Sequence, residues 1–170
     1  MLQPHPDPAA RVVRCGVITV SDTRSPETDK SGQLIQALLT AAGHEIGDYE
    51  VIKDDPEAIA HRLEHLAHAN LEALIFNGGT GIAHRDNTYD MLAKHLEKTL
   101  PGFGEIFRAL SYEEIGSRAI ASRAVAGTYR GMILFSLPGS TGAVRLAMEK
   151  LILPELRHLV SQLQPAAPQV

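Results

Sequence analysis

Four short segments of this 170-residue chain carry side chains suited to holding an anion or a metal ion. They are Ser21-Asp22-Thr23-Arg24, Asp54-Asp55, Gly78-Gly79-Thr80-Gly81 with Arg85-Asp86 close behind, and Pro138-Gly139-Ser140-Thr141. Glycines at 78, 79 and 81 let backbone N–H groups approach an anion without Cβ interference. Arg85 adds a planar fork suited to phosphate. Pro138 to Thr141 precedes a helical pattern, so the free N–H groups and positive end of that helix offer a second anion site. Taken singly, each loop is better read as a tight turn with an N-cap. Two such loops together with two carboxylate loops point to a phosphate-bearing ligand.

Carboxylates facing phosphates repel them unless a cation lies between. Mg2+ takes oxygen ligands from one or two carboxylates plus substrate phosphates. Asp54 and Asp86 are therefore the candidate metal ligands. The plainer readings are that Asp54 or Asp55 caps a helix and that Asp86 pairs with Arg85; Asp55 fits the cap better than Asp54.

Two standard phosphate motifs are missing. The chain has no G-x-x-x-x-G-K-[ST], and the runs starting at Gly79 and Gly102 lack the third glycine of G-x-G-x-x-G. A kinase, a P-loop ATPase and a dinucleotide enzyme are disfavoured. His61-Arg62-Leu63-Glu64-His65 matches a short zinc-hydrolase pattern, with His68 one turn on. At 100° per residue these side chains lie opposite the Ile59, Leu63 and Leu66 stripe, so a solvated helix face explains them better.

The loops need elements to position them. Cys15 to Ser21, Ile46 to Lys53 and Ala73 to Asn77 read as strands. Between them, Lys30 to Ala42 reads as a helix closed by Gly43, and a second helix starts at Asp55-Pro56 with Asp55 as N-cap. Asn87 or Thr88 caps a third helix with Met91, Leu92 and Leu96 inward, and Pro101-Gly102 ends that segment. A helical stretch runs from Phe103 to about Tyr112. Ser122 to Thr128 and Met132 to Leu137 read as a hairpin across Tyr129-Arg130-Gly131. Ser140 opens a long C-terminal helix through Lys150, which Pro154 restarts or kinks. This order predicts a three-layer α/β/α sandwich whose mixed sheet is mostly parallel. Ligands in such sheets bind beyond the carboxyl ends of the strands, so the loops are expected to share one rim.

Composition bounds the rest. The chain is 44% hydrophobic and 21% charged, with 16 Lys+Arg against 20 Asp+Glu. That length predicts one domain, expected over residues 12–163, with a Pro-rich arm at 1–11 and a frayed tail at 164–170. The modest acidic balance argues against nucleic-acid binding. One cysteine, Cys15, lies in an apolar run and suits core packing in a reducing cytoplasm. No membrane span or signal peptide is expected.

Several of these motifs, in order, resemble molybdenum cofactor biosynthesis proteins of the MoaB/MogA type, relatives of the gephyrin G domain. They are Ser21-Asp22, Asp29-Lys30-Ser31-Gly32, Asp54-Asp55, Gly78 to Gly81 with Arg85-Asp86 and Thr88, Pro101-Gly102-Phe103-Gly104-Glu105, and Pro138-Gly139-Ser140. FRALSYEEIG at 107–116 and SRAVAG at 122–127 point to the MoaB branch.

The resemblance implies a molybdopterin adenylyltransferase. Such an enzyme joins AMP from Mg-ATP to the terminal phosphate of molybdopterin, before molybdate or tungstate insertion. It implies catalytic and Mg2+-binding roles for Asp54 and Asp86. Gly78, Gly79, Thr80, Gly81 and Thr88, with Arg85, would hold the pterin or a phosphate. Ser21, Asp22, Pro138, Gly139, Ser140 and Thr141 would line the pocket, with Ser31 and Gly32 on the same rim. A homotrimer or homohexamer is implied, with other cofactor-biosynthesis proteins as possible partners. Apolar residues in 103–127 beyond the needs of a core agree with a subunit interface. The alternatives are a non-catalytic molybdopterin carrier and a nucleotide-processing domain like that of competence-damage proteins.

Overall fold

The computed structural model describes residues 11–163. The expected tail at 164–170 and all but the last residue of the expected arm lie outside the described residues. Arg11, assigned to the arm on sequence, is instead held. Its guanidinium pairs with Glu72 and its carbonyl accepts from Arg157 Nε at 3.0 Å.

Six strands form one sheet in the order β2-β1-β3-β6-β5-β4. They are β1 (Arg14–Val20), β2 (Glu45–Ile52), β3 (Ala73–Asn77), β4 (Lys98–Thr99), β5 (Val125–Tyr129) and β6 (Met132–Leu137). The first three and β6 run parallel, while β5 is antiparallel to both of its neighbours. Register aligns the parallel ends, with Val20 beside Ile52, Thr19 beside Asn77, and Asn77 beside Leu137. Residues 21, 53, 78 and 138 therefore leave the sheet along one edge.

Alternation along the strands builds two cores. Val17, Ile75 and Phe135 face one layer; Ile18, Phe76 and Leu134 face the other. The first layer contains α1 (Lys30–Ala41), α4 (Pro101–Ile115), α5 (Thr141–Ala147) and α6 (Leu153–Leu163). The second contains α2 (Pro56–Leu66) and α3 (Thr88–His95). This is the expected three-layer sandwich.

Local chemistry explains most boundaries. Asp55 caps α2 by accepting from the Ala58 N–H at 2.8 Å, with Pro56 in the first turn. Arg130 and Gly131, at φ 45° and 78°, make the two-residue hairpin turn, since both central positions of a type I′ turn need positive φ.

Three expectations require correction. Pro101 opens α4 rather than ending the segment before it, because the missing proline N–H is not needed in a first turn. Ser122 to Ala124 stay outside β5, which starts at Val125. The C-terminal helix changes to π geometry over Met148–Ile152, just before Pro154, whose ring disturbs the carbonyl four residues back.

Candidate functional site

The aligned strand ends bring the four loops together. Gly78 has φ 98°, and a Cβ there would collide with the Val20 carbonyl, so only glycine fits. A Cβ on Gly79 would strike Asp54 Oδ2 and Thr88 Oγ1. A Cβ on Gly139 would lie 3.1 Å from the Gly78 Cα, so the last loop rests on the glycine-rich one.

Two cavities open at this edge. The larger, about 480 Å3, has Ser21, Gly78 to Gly81, Asp86 and Pro138 to Ser140 on one side. Phe107, Ser111 and Ile115 of α4, with Arg118 and Ala119 from the 3-10 turn Gly116–Ala121, complete the lining, mixing apolar side chains with one cation. The smaller, about 160 Å3, is lined by Ser21, Asp22, Asp54, Gly79, Arg85 and Asp86. Ser21, Gly79 and Asp86 border both.

The carboxylates are held from the backbone. Asp54 Oδ1 accepts from the Asn87 N–H at 3.0 Å, and the Asp54 N–H donates to Asp22 Oδ1 at 3.1 Å. Asp86 Oδ2 accepts from the Ala83 N–H at 3.0 Å, closing the turn between them. Burial pushes the Asp54 carboxyl above its ordinary value. The Asn87 N–H opposes that push, and the charges of Asp86 and Asp22 add to it. Such crowding of carboxylates invites a cation. The all-oxygen donors of Asp54 and Asp86 fit Mg2+, which keeps several waters and takes only one or two carboxylates. Among the described residues no group of three or more His, Cys, Asp or Glu could hold a metal ion.

The remaining candidates are placed differently. Thr88 is buried beneath Gly79, its hydroxyl without a hydrogen-bond partner. Arg85 is exposed on the smaller cavity. Thr141 is exposed in the first turn of α5 and lines neither cavity. Ser31 and Gly32 are buried and also line neither. The Gly32 N–H donates to Asp29 Oδ1 at 3.0 Å, and Ser31 Oγ accepts from Arg24 Nη1 at 2.6 Å. They support the rim from below. His61, Glu64 and His65 are exposed on α2, and His68 is exposed just past its end, as the solvated-face reading expects.

Three long-range contacts carry no signal in the sequence. Arg24 reaches across the rim and donates to the Gly139 carbonyl at 3.0 Å, tying the first loop to the last. Buried Asp29 accepts from Thr19 Oγ1 at 2.5 Å and Tyr49 OH at 2.9 Å beneath it. Arg123 binds the carbonyls of Thr80, Gly81 and Asp86. None of these long-range contacts has a spacing signal. The α4 side of the larger cavity did have one: Phe107, Ser111 and Ile115 recur every four residues along one face of a helix.

Comparison with known proteins identifies the family. The family described as "Probable molybdopterin binding domain" matches residues 16–158. Molybdenum cofactor biosynthesis protein B of Bacillus subtilis is 52% identical over 165 residues, covering 96% of this chain and 97% of the relative. Its counterpart from Halalkalibacterium halodurans is 50% identical over 164 residues, covering 95% and 96% respectively. A crystal structure of a molybdenum cofactor biosynthesis protein B superimposes with a TM-score of 0.88 at 51% identity, over 90% of this chain and 96% of that one.

Proposed function

The chain belongs to the family of probable molybdopterin binding domains, and from that premise we propose that it works in molybdenum cofactor biosynthesis as an Mg-ATP-dependent molybdopterin adenylyltransferase. The observation that carries this reading is the paired cavity. A chamber with a partly apolar wall and a glycine-rich edge meets an acidic chamber at Ser21, Gly79 and Asp86. One fits a ring system bearing a phosphate; the other fits a metal-bound polyphosphate.

In this reading the pterin ring packs against Phe107, Ile115 and Ala119, and its terminal phosphate meets N–H groups of Gly78 to Gly81. The loop Pro138 to Ser140 borders the pterin chamber, and Arg85 approaches the polyphosphate in the acidic one. A phosphate oxygen of the pterin bonds to the α-phosphorus of ATP. The bond from that phosphorus to the α–β bridging oxygen breaks, and pyrophosphate leaves with the electron pair. Phosphoryl-type transfer asks the protein mainly for positioning and charge stabilisation. Mg2+ held by Asp54 and Asp86 supplies charge neutralisation for the triphosphate. The Asn87 N–H keeps the Asp54 carboxylate aimed into the acidic chamber, and Asp22 fixes the backbone of Asp54 from the other side.

The chain acts as a homo-oligomer in the same reading. Ile106, Tyr112, Ile115 and Ile120 are exposed apolar side chains on α4 and the turn that follows it. Its substrates are molybdopterin and ATP, and its wider partners are other cofactor-biosynthesis proteins. Among the described residues no helix is long and apolar enough to cross a membrane.

The deciding experiment incubates the protein with molybdopterin and Mg-ATP. Appearance of adenylyl-pterin together with pyrophosphate is expected. Pterin binding without either product would leave a carrier, and ATP hydrolysis without pterin would favour a nucleotide-processing domain.

A further inference from the structure

Arg123 stands just before β5 and lines neither of the two cavities. Yet every nitrogen of its guanidinium is committed to the loop that borders them. Nε donates to the Thr80 carbonyl at 3.2 Å, and Nη2 donates to the carbonyls of Gly81 at 2.5 Å and Asp86 at 3.1 Å. Nη1 donates to both Asp90 oxygens, at 3.0 and 2.9 Å. The group also lies over the Tyr89 ring, 4.8 Å from its centroid. Asp90 and Tyr89 therefore fix the fork from the α3 side, and the fork fixes the loop.

The consequence follows from the peptide plane. In a trans peptide the carbonyl and the N–H point in opposite directions. The Asp86–Asn87 peptide is gripped at both ends: its oxygen by Arg123 Nη2, its N–H by Asp54 Oδ1 at 3.0 Å. A cation on the carbonyl also strengthens donation by the N–H of the same peptide. With the Thr80 and Gly81 oxygens drawn to Arg123, the Gly81 and Ile82 N–H groups turn the other way. Neither makes a hydrogen bond among the described residues, so both remain available to an anion.

We propose that Arg123 is a positioning residue: acting from behind the site, it fixes the Asp54 carboxylate through the Asp86–Asn87 peptide and turns the N–H groups of the glycine-rich loop toward a phosphate. The catalytic part of this inference rests on the adenylyltransferase reading; the loop-shaping part does not. Lysine cannot replace this residue, because one ammonium cannot serve three carbonyls and a carboxylate in a fork geometry.

The test compares the full chain with Arg123→Gln and Arg123→Lys. Amide hydrogen exchange is followed in residues 78–88 and in β1, β3 and β6. Arg123→Gln is expected to speed exchange in 78–88 by ~10-fold or more, with the three strands unchanged, because the loop loses its charged hydrogen bonds. Turnover per folded molecule should fall by ~100-fold, as expected when a group that positions the reactants is displaced. Arg123→Lys should restore folding and midpoint temperature more fully than it restores turnover. Unchanged exchange in 78–88, or lysine restoring turnover to the wild-type value, would overturn the proposal. If the wild-type chain transfers no AMP, the adenylyltransferase reading fails, and the exchange comparison alone still judges the role of Arg123 in shaping the loop.

Discussion

Asp54 sits in the rim at a cost to stability. Burial and the neighbouring charges of Asp86 and Asp22 keep its carboxyl above the ordinary value of 3.8. A carboxyl raised in the folded state opposes folding once it ionises, so its cost is absent at acid pH and present at neutral pH. Asp54→Asn removes that cost while leaving an oxygen to accept the Asn87 N–H. The variant is expected to melt above the wild type at pH 7, to bind molybdopterin normally and to lose adenylyl transfer; a lower midpoint or normal transfer would contradict this assignment. At this scale the sequence displayed the residues of the rim openly. Asp54, Asp86, Gly78 to Gly81 and Gly139 were legible from residue type and from their places after strands. Arg24 and Arg123 were not, because they act on carbonyl groups in loops distant along the chain. Ser31 and Gly32 read as rim residues but serve the buried carboxylate below it.

That carboxylate belongs to the scale of elements. Asp29 precedes α1 and accepts hydrogen bonds from Thr19 of β1, Gly32 and Ser31 of α1 and Tyr49 of β2. Burial, the largest influence, would raise its pKa, but these bonds together hold it below the ordinary value of 3.8. A depressed carboxyl stabilises the fold above its unfolded pKa and loses that contribution as pH falls through the lower folded value. Asp29→Asn should cost about 2 kcal/mol at pH 7, and its deficit should shrink below pH 3.8 as the wild type becomes protonated. Denaturant melts across pH 2–7 would show this; a pH-independent deficit would count against it. Strands were legible as β-branched apolar runs and α2 by its cap. The start of β5 was misplaced because Arg123 turns the chain into the loop contacts first. The π segment at Met148–Ile152 was visible only as the disturbance expected from Pro154.

At the scale of the molecule, strand alternation announced a sheet covered on both faces, and the alignment of β1, β2, β3 and β6 brings their loops to one edge. A candidate interface is harder to read from sequence, because an interface helix would carry the same amphipathic pattern as a core helix plus a few extra apolar residues. Ile120 is 83% exposed and lies one residue from Ala121, which lines the larger cavity. Light scattering should therefore report an oligomer, and Ile106→Glu with Ile120→Glu should shift it toward monomer; a monomeric wild type would refute the interface. The central claim is narrower: one edge of the sheet cradles two phosphorylated molecules side by side. A crystal structure with molybdopterin, Mg2+ and a non-hydrolysable ATP analogue tests it most directly. The account predicts pterin in the chamber walled by Phe107 and Ile115, with triphosphate and metal between Asp54 and Asp86. Either ligand bound away from Gly79 and Asp86, where the two chambers meet, would contradict it.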